Sequence, residues 1–152
     1  LKKIPIRLLR MYINAYQSMI WNMVVASYLE KHGSIVKTVP YSQGKLVFVK
    51  DKIEITVPIV GFDSQSLESG EIKQLIVNLM KEEDMGYSDF LIKQIPQLSL
   101  EGELRNVFIE VKDFILGKVE ADELNPGKKK IKVSFTLPKG SYATIVVKRI
   151  FS

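Results

Sequence analysis

The stretch from residue 5 to residue 31 restricts the fold most. Leu9, Tyr12, Ile13, Tyr16, Ile20, Met23 and Val24 recur there at three- and four-residue intervals, which predicts a long helix with one face in a core. Pro5 suits a first helical turn and Gly33 closes the segment. Arg7, Arg10, Asn14 and Gln17 form a second stripe at the same spacing. That stripe is either a solvent face or a surface that touches phosphates through its arginines. Trp21 reads as core, because so apolar a helix must be covered on most sides. His32, the single histidine, stands before Gly33 and reads as a C-terminal capping residue.

Beyond the helix the pattern shortens. Ile35 to Val39, Lys45 to Val49 and Ile53 to Val60 read as strands, with Pro40, Ser42 and Gly44 in the first gap and Asp51-Lys52 as a tight turn in the second. Pro58 and Gly61 end that run. Ser69 or Ser66 can cap a helix from about Glu71 to Lys81 with Ile72, Leu75, Ile76, Leu79 and Met80 buried. Glu82-Glu83-Asp84 reads as solvated charge, because adjacent carboxylates at a helix end do not share one face as a metal or an acid/base pair requires. A short helical piece is expected over Ser88 to Lys93, ended by Pro96. Leu100 to Arg105 reads as a turn into a strand over Val107 to Val111, with another strand over Ile115 to Val119. Asn125 to Lys130 is expected as a flexible basic loop.

The last stretch combines a turn with unusual chemistry. Ile131, Val133 and Phe135 alternate with polar residues as in a half-buried strand, Leu137-Pro138-Lys139-Gly140 reads as a turn, and Ala143 to Ile150 reads as a second, more deeply buried strand. Ser141, Tyr142 and Thr144 stand at the exit of that turn. A ring beside small hydroxyls can stack a nucleobase and bond its edge; alternatively Tyr142 is a cross-strand packing residue. The first hundred residues mix helices and strands and the last third reads as antiparallel strands, so the expected class is α+β with a domain boundary near residue 104.

Composition removes several functions. The 152 residues contain no cysteine, which excludes a disulfide framework, a zinc ribbon and a thiol nucleophile. One histidine excludes a histidine-cluster metal site. No apolar run approaches the roughly 18 to 20 residues of a membrane span, and the N-terminal lysines precede no signal-type core, so a soluble cytoplasmic protein is expected. The net charge of +5 is partitioned: residues 1–50 carry +7, residues 63–123 carry −8 and residues 124–152 carry +7. If the two basic ends meet in space, they form the positive surface expected of a nucleic-acid binder.

Two passages resemble one family. Ala15-Tyr16-Gln17-Ser18-Met19-Ile20-Trp21-Asn22 is similar to the Ala-x-Gln-Ser-x-x-aromatic-Asn helix of the TruD-type tRNA pseudouridine synthases. Phe135-Thr136-Leu137-Pro138-Lys139-Gly140-Ser141-Tyr142-Ala143-Thr144 is similar to that family's closing Leu-Pro-x-Gly-Ser-aromatic-Ala-Thr motif. Thr56 to Gly61 and Gly102-Glu103-Leu104-Arg105 match weaker family motifs in the same order. The resemblance implies that residues 1–104 belong to an α/β insertion domain and residues 105–152 to the end of an antiparallel catalytic sheet, with RNA in the cleft between them. It implies isomerisation of a tRNA uridine, at position 13, to pseudouridine without cofactor or metal, the target base leaving its stack.

Carried over by position, Tyr142 flanks the uracil, and Ser141, Thr144 and Gly140 complete the substrate-facing turn. Arg7, Arg10, Gln17, Arg105, Lys139 and Lys148 are the expected RNA contacts. Lys148 stands where the family usually has arginine, and Arg149 where it usually has glutamate. The family's Gly-x-Lys-Asp motif, which carries the essential aspartate, has no counterpart here, since Lys50-Asp51 follows the Gln-Ser helix instead of preceding it. No catalytic residue is therefore expected in this chain. The aspartate and the N-terminal part of the catalytic domain are expected upstream of Leu1, and the partner is tRNA. A non-catalytic RNA-binding module and a protein-interaction domain are the alternatives.

Overall fold

The structure is a computed structural model that describes residues 4–66 and 70–151. Ser69, one of the two expected helix caps, lies outside the described residues. The chain divides into two compact units, Leu1–Phe108 and Ile109–Ser152.

The first unit is built on helix α1, Ile6–His32. Its buried face runs through Gln17, Ile20, Val24, Ala26 and Leu29, so it lies further along the helix than the expected stripe. Tyr12, expected inside, is 59% exposed, because the elements of this unit cover the C-terminal two thirds of the helix. Two apolar clusters form there. Ile20 and Val24 pack with Val57, Val60, Ile76, Met80 and Phe90, and Ala26 and Leu29 pack with Val47 and Val49. Each of these side chains other than Ala26 contributes roughly 1.5–3 kcal/mol through burial.

Strands β1 (Ile35–Tyr41) and β2 (Gly44–Val49) form an antiparallel hairpin that turns at Ser42-Gln43. Pro40 lies inside β1, opposite Lys45, and not in the gap. Strand β3 (Thr56–Ile59) pairs not with β2 but with β4 (Glu103–Asn106), from Thr56↔Asn106 to Ile59↔Glu103. The expected turn at Asp51-Lys52 therefore joins two separate sheets. The reason is the helix beneath: Val47 and Val49 pack on its end, whereas Val57 and Val60 pack nearer its middle. The strand expected over Val107 to Val111 does not form, because the pairing with β3 uses the four residues just before it.

Helix α2 spans Gly70–Glu82, with Ile76 and Met80 buried and Ile72, Leu75 and Leu79 packed around them, as their spacing predicts. Ser66, the other expected cap, instead closes a 3-10 turn, its hydroxyl donating to the Asp63 carbonyl at 2.9 Å. The acidic cluster Glu82-Glu83-Asp84 is exposed. Two 3-10 turns, Tyr87–Phe90 and Pro96–Leu98, stand in place of the expected helical piece. His32 is tied across to α2: Glu71 receives its Nε2 at 2.7 Å and Lys31 Nζ at 2.6 Å, and Tyr28 packs on the imidazole with ring centroids 4.4 Å apart.

In the second unit β5 (Lys112–Ala121) and β6 (Lys129–Thr136) form an antiparallel ribbon with Ile115 opposite Ser134 and Val119 opposite Ile131. Ile131, Val133 and Phe135 are half-buried in the alternation the sequence predicts. The following segment corrects the expectation: Ala143–Phe151 is helix α3, not a strand, and none of its residues is buried. Its β-branched residues favour extended backbone only when a neighbouring strand offers them a pleated surface. On the helix Val146 and Ile150 share a face, as do Val147 and Phe151, and Lys148 and Arg149 in the last turn complement the negative end of the helix dipole.

The Glu71 contacts generate a pH dependence. The hydrogen bond from Lys31, then that from His32, hold the Glu71 carboxyl below its ordinary range. A lowered folded-state pKa contributes stability above the unfolded value that is lost as pH falls through the folded one. We expect Glu71→Gln to lower the melting temperature at pH 7, and the gap to wild type to close as the solution is acidified through the carboxylate range. A gap that persists below pH 3 in thermal melts would contradict this.

Candidate nucleic-acid interface

The motif residues of the first unit converge where α1 crosses β3. Gln17 is 4% exposed and its Nε2 donates to the Val60 carbonyl at 2.7 Å. One turn on, Trp21 Nε1 donates to the Val57 carbonyl at 2.9 Å, and the Arg105 guanidinium of β4 lies 5.7 Å from the Trp21 ring centroid. Gln17 was expected on the polar stripe facing RNA. Its carboxamide is instead committed to the interior, because a buried Val60 carbonyl without a strand partner requires a donor. Arg105, half-buried, places its charge over an aromatic face, an attraction of the cation–π kind.

Beside this crossing the backbone itself is packed tightly. A Cβ on Gly61 would overlap the Glu101 and Gly102 backbone, and one on Gly102 would overlap the Ser64 side chain. Ser64, fully buried, accepts the Gly61 N–H at 2.7 Å, Asp63 Oδ1 accepts the Gly102 N–H at 2.6 Å, and the Phe62 N–H reaches the Leu100 carbonyl at 3.1 Å. Sequence periodicity gave no warning of Asp63 and Ser64. The only signal was indirect, since two glycines flanking short apolar runs mark close backbone approach.

Along α1 the expected phosphate contacts are exposed. Arg7 is open to solvent, and Arg10, also exposed, donates to the Gln97 carbonyl at 2.7 Å. Tyr16 is half-buried near Phe90, with ring centroids 6.4 Å apart, and its hydroxyl finds no partner among the described residues. Burial, and then the charge of Glu83, push that hydroxyl's pKa up.

The turn in the second unit joins β6 to α3 and presents its polar groups outward. Gly140 takes a positive φ of 86°, the Ser141 N–H donates to the Pro138 carbonyl at 3.2 Å, and the Ile145 N–H donates to the Tyr142 carbonyl at 3.0 Å. Tyr142 is 59% exposed. Since no strand follows it, the cross-strand packing role is removed. Thr144 is exposed in the first turn of α3, and Lys148, four residues on, lies on the same helix face and is half-buried. Lys139 is exposed. The motif groups of the two units thus present different chemistry: an interior lock in the first and an open turn in the second. Among the described residues no group of three or more acids or histidines is placed to hold a metal ion, and no helix is long and apolar enough to cross a membrane.

The described chain is thus α+β, with a polar turn around an exposed ring near its end. The family model for tRNA pseudouridine synthase D (TruD) matches residues 41–150. A Methanosarcina acetivorans protein designated a tRNA pseudouridine synthase D is 31% identical over 95% of this chain and 38% of its own length. One from Methanocaldococcus jannaschii, designated a tRNA pseudouridine synthase D 2, is 34% identical over 95% of this chain and 36% of its own. A Methanosarcina mazei crystal structure carrying the TruD designation superposes with a TM-score of 0.64 at 29% identity, over 97% of this chain and 39% of that one. The chain belongs to the TruD family of tRNA pseudouridine synthases. It spans less than two fifths of the length of these relatives.

The glycine pair makes the lock testable. Gly61→Ala and Gly102→Ala should each destabilise the chain by about 1–3 kcal/mol, the usual cost of overpacking. Urea denaturation measures it, and a midpoint unchanged in both variants would contradict the close packing.

Proposed function

We propose that this chain forms the tRNA-binding part of a pseudouridine synthase and contributes one side of its substrate pocket. Residues 1–104 are then the insertion domain and residues 105–152 the closing segment of the catalytic domain. The observation that carries the reading is Tyr142, an exposed ring on the Leu-Pro-Lys-Gly-Ser turn of a chain that belongs to the TruD family. The ring lies against the uracil of uridine 13 of tRNA once that base has left its stack. Ser141 and Thr144 bond its edge or backbone, and Gly140 lets the backbone approach closely. Arg7, Arg10, Arg105, Lys139 and Lys148 meet phosphates, which fix position without reading sequence. Gln17 leaves that set; it holds β3 in place from inside.

The reaction detaches uracil at its glycosidic nitrogen and reattaches it through carbon, in the cytoplasm and without metal or cofactor. The essential aspartate comes from outside these residues. Support for this lies in the sequence, where Gly-x-Lys-Asp has no counterpart, and in the share of the relatives' length that the chain spans.

Two measurements test the proposal. Purified as these 152 residues, the chain should bind a cognate tRNA transcript and leave its pseudouridine content unchanged, while a polypeptide of the relatives' length modifies it. Appreciable product from the short chain would overturn the assignment of the aspartate. In the longer polypeptide, Tyr142→Phe should retain most activity and Tyr142→Ala should lose about 10- to 100-fold, the equivalent of one base–aromatic stack. Equal activity of Tyr142→Ala and wild type would remove the ring from the pocket.

A further inference from the structure

We propose that the tip of the β5–β6 ribbon is a preformed RNA contact, in which Lys128 and Lys129 meet phosphates and Leu124 lies against a base or ribose face. The inference rests on the tRNA reading above. The tip, expected to be a flexible loop, is closed by its own hydrogen bonds. Asp122 Oδ1 accepts the Leu124 N–H at 2.9 Å and the Asn125 N–H at 3.2 Å, and its Oδ2 accepts the Asn125 side-chain amide at 2.8 Å. The Asp122 N–H donates to the Lys128 carbonyl and the Lys128 N–H to the Asn125 carbonyl, both at 3.0 Å. Gly127, at a φ of 80°, supplies the left-handed residue that the turn requires.

This arrangement sorts the charges of the tip. Asp122 turns its carboxylate onto backbone N–H groups, and Glu123 pairs with Lys130. Lys128 and Lys129 remain exposed, with no ion pair among the described residues. Asp122 thus has its carboxylate held against the tip's own backbone and Glu123 is ion-paired, while Lys128 and Lys129 stay exposed and Glu120 lies opposite Lys130 on the ribbon. The same tip carries Leu124, 83% exposed, the most exposed of the large apolar side chains described. An exposed apolar side chain on the same ordered tip as two exposed lysines fits a polyanion that also offers apolar base faces. Little conformational entropy is lost when such a tip docks, because its backbone is already ordered.

The test is equilibrium binding of an unmodified tRNA transcript to the 152-residue chain across a series of KCl concentrations. Lys128→Gln/Lys129→Gln should weaken binding at low salt about tenfold or more. It should also reduce the magnitude of the slope of log K against log salt by about 1.4–1.8, the release of two counterions. Leu124→Ser should weaken binding several-fold with the slope unchanged. Both variants alter exposed side chains, and circular dichroism confirms that they fold. Wild-type binding with an unaltered slope in the lysine variant would overturn the tip proposal and leave the tRNA reading standing. Absence of wild-type binding would overturn both. Unchanged tRNA affinity of Leu124→Ser would overturn the role of Leu124 on RNA.

Discussion

The first unit depends on two side-chain donors of α1 reaching two carbonyls of the β3 segment. Gln17 meets Val60 and Trp21 meets Val57. The net stability from one such bond is about 1 kcal/mol, but leaving a buried carbonyl unmet costs roughly 1–3 kcal/mol. The pair therefore acts mainly as a specification: any slide of the helix along the strand leaves both carbonyls orphaned. The apolar contacts of Ile20 and Val24 with Val57 and Val60 would tolerate small shifts. The polar pair does not, and the glycine contact at Gly61 and Gly102 fixes β4 against the same point.

What could be read from the sequence was periodicity. α1 and α2 were visible because their apolar residues recur over several turns, and β1, β2, β5 and β6 because short alternating runs are bounded by turn residues. What escaped was decided by partners. Ala143 to Phe151 carries strand-favouring residues, yet is helical because no strand lies beside it and its last turn is basic. Val107 to Val111 alternates, yet the pairing falls on Glu103 to Asn106. Gln17 looked like surface by composition and spacing, and only the position of the Val60 carbonyl shows why a carboxamide is buried there. The turn around Tyr142 was legible as chemistry, although the element following it was not.

The two units use their apolar residues differently. In the first, helices and sheets cover one another and two clusters are sealed. In the second, no described residue is buried, and Phe114 and Phe135 lie with ring centroids 6.5 Å apart near the surface of a two-stranded ribbon. A segment this short cannot enclose a core of its own. Its order comes from the ribbon's ladder and from hydrogen-bonded turns at both ends of β6, and those turns carry the exposed Lys128, Lys129 and Tyr142.

The prolines in β1 and β3 bear on solubility. A two-stranded sheet exposes two open edges, and an open edge is a template for a strand from another molecule. Pro40 in β1 and Pro58 in β3 remove one amide donor from each strand. Neither strand can extend an unbroken ladder to a neighbour. Two prolines thus guard sheets too small to protect themselves, and so counter edge-to-edge aggregation.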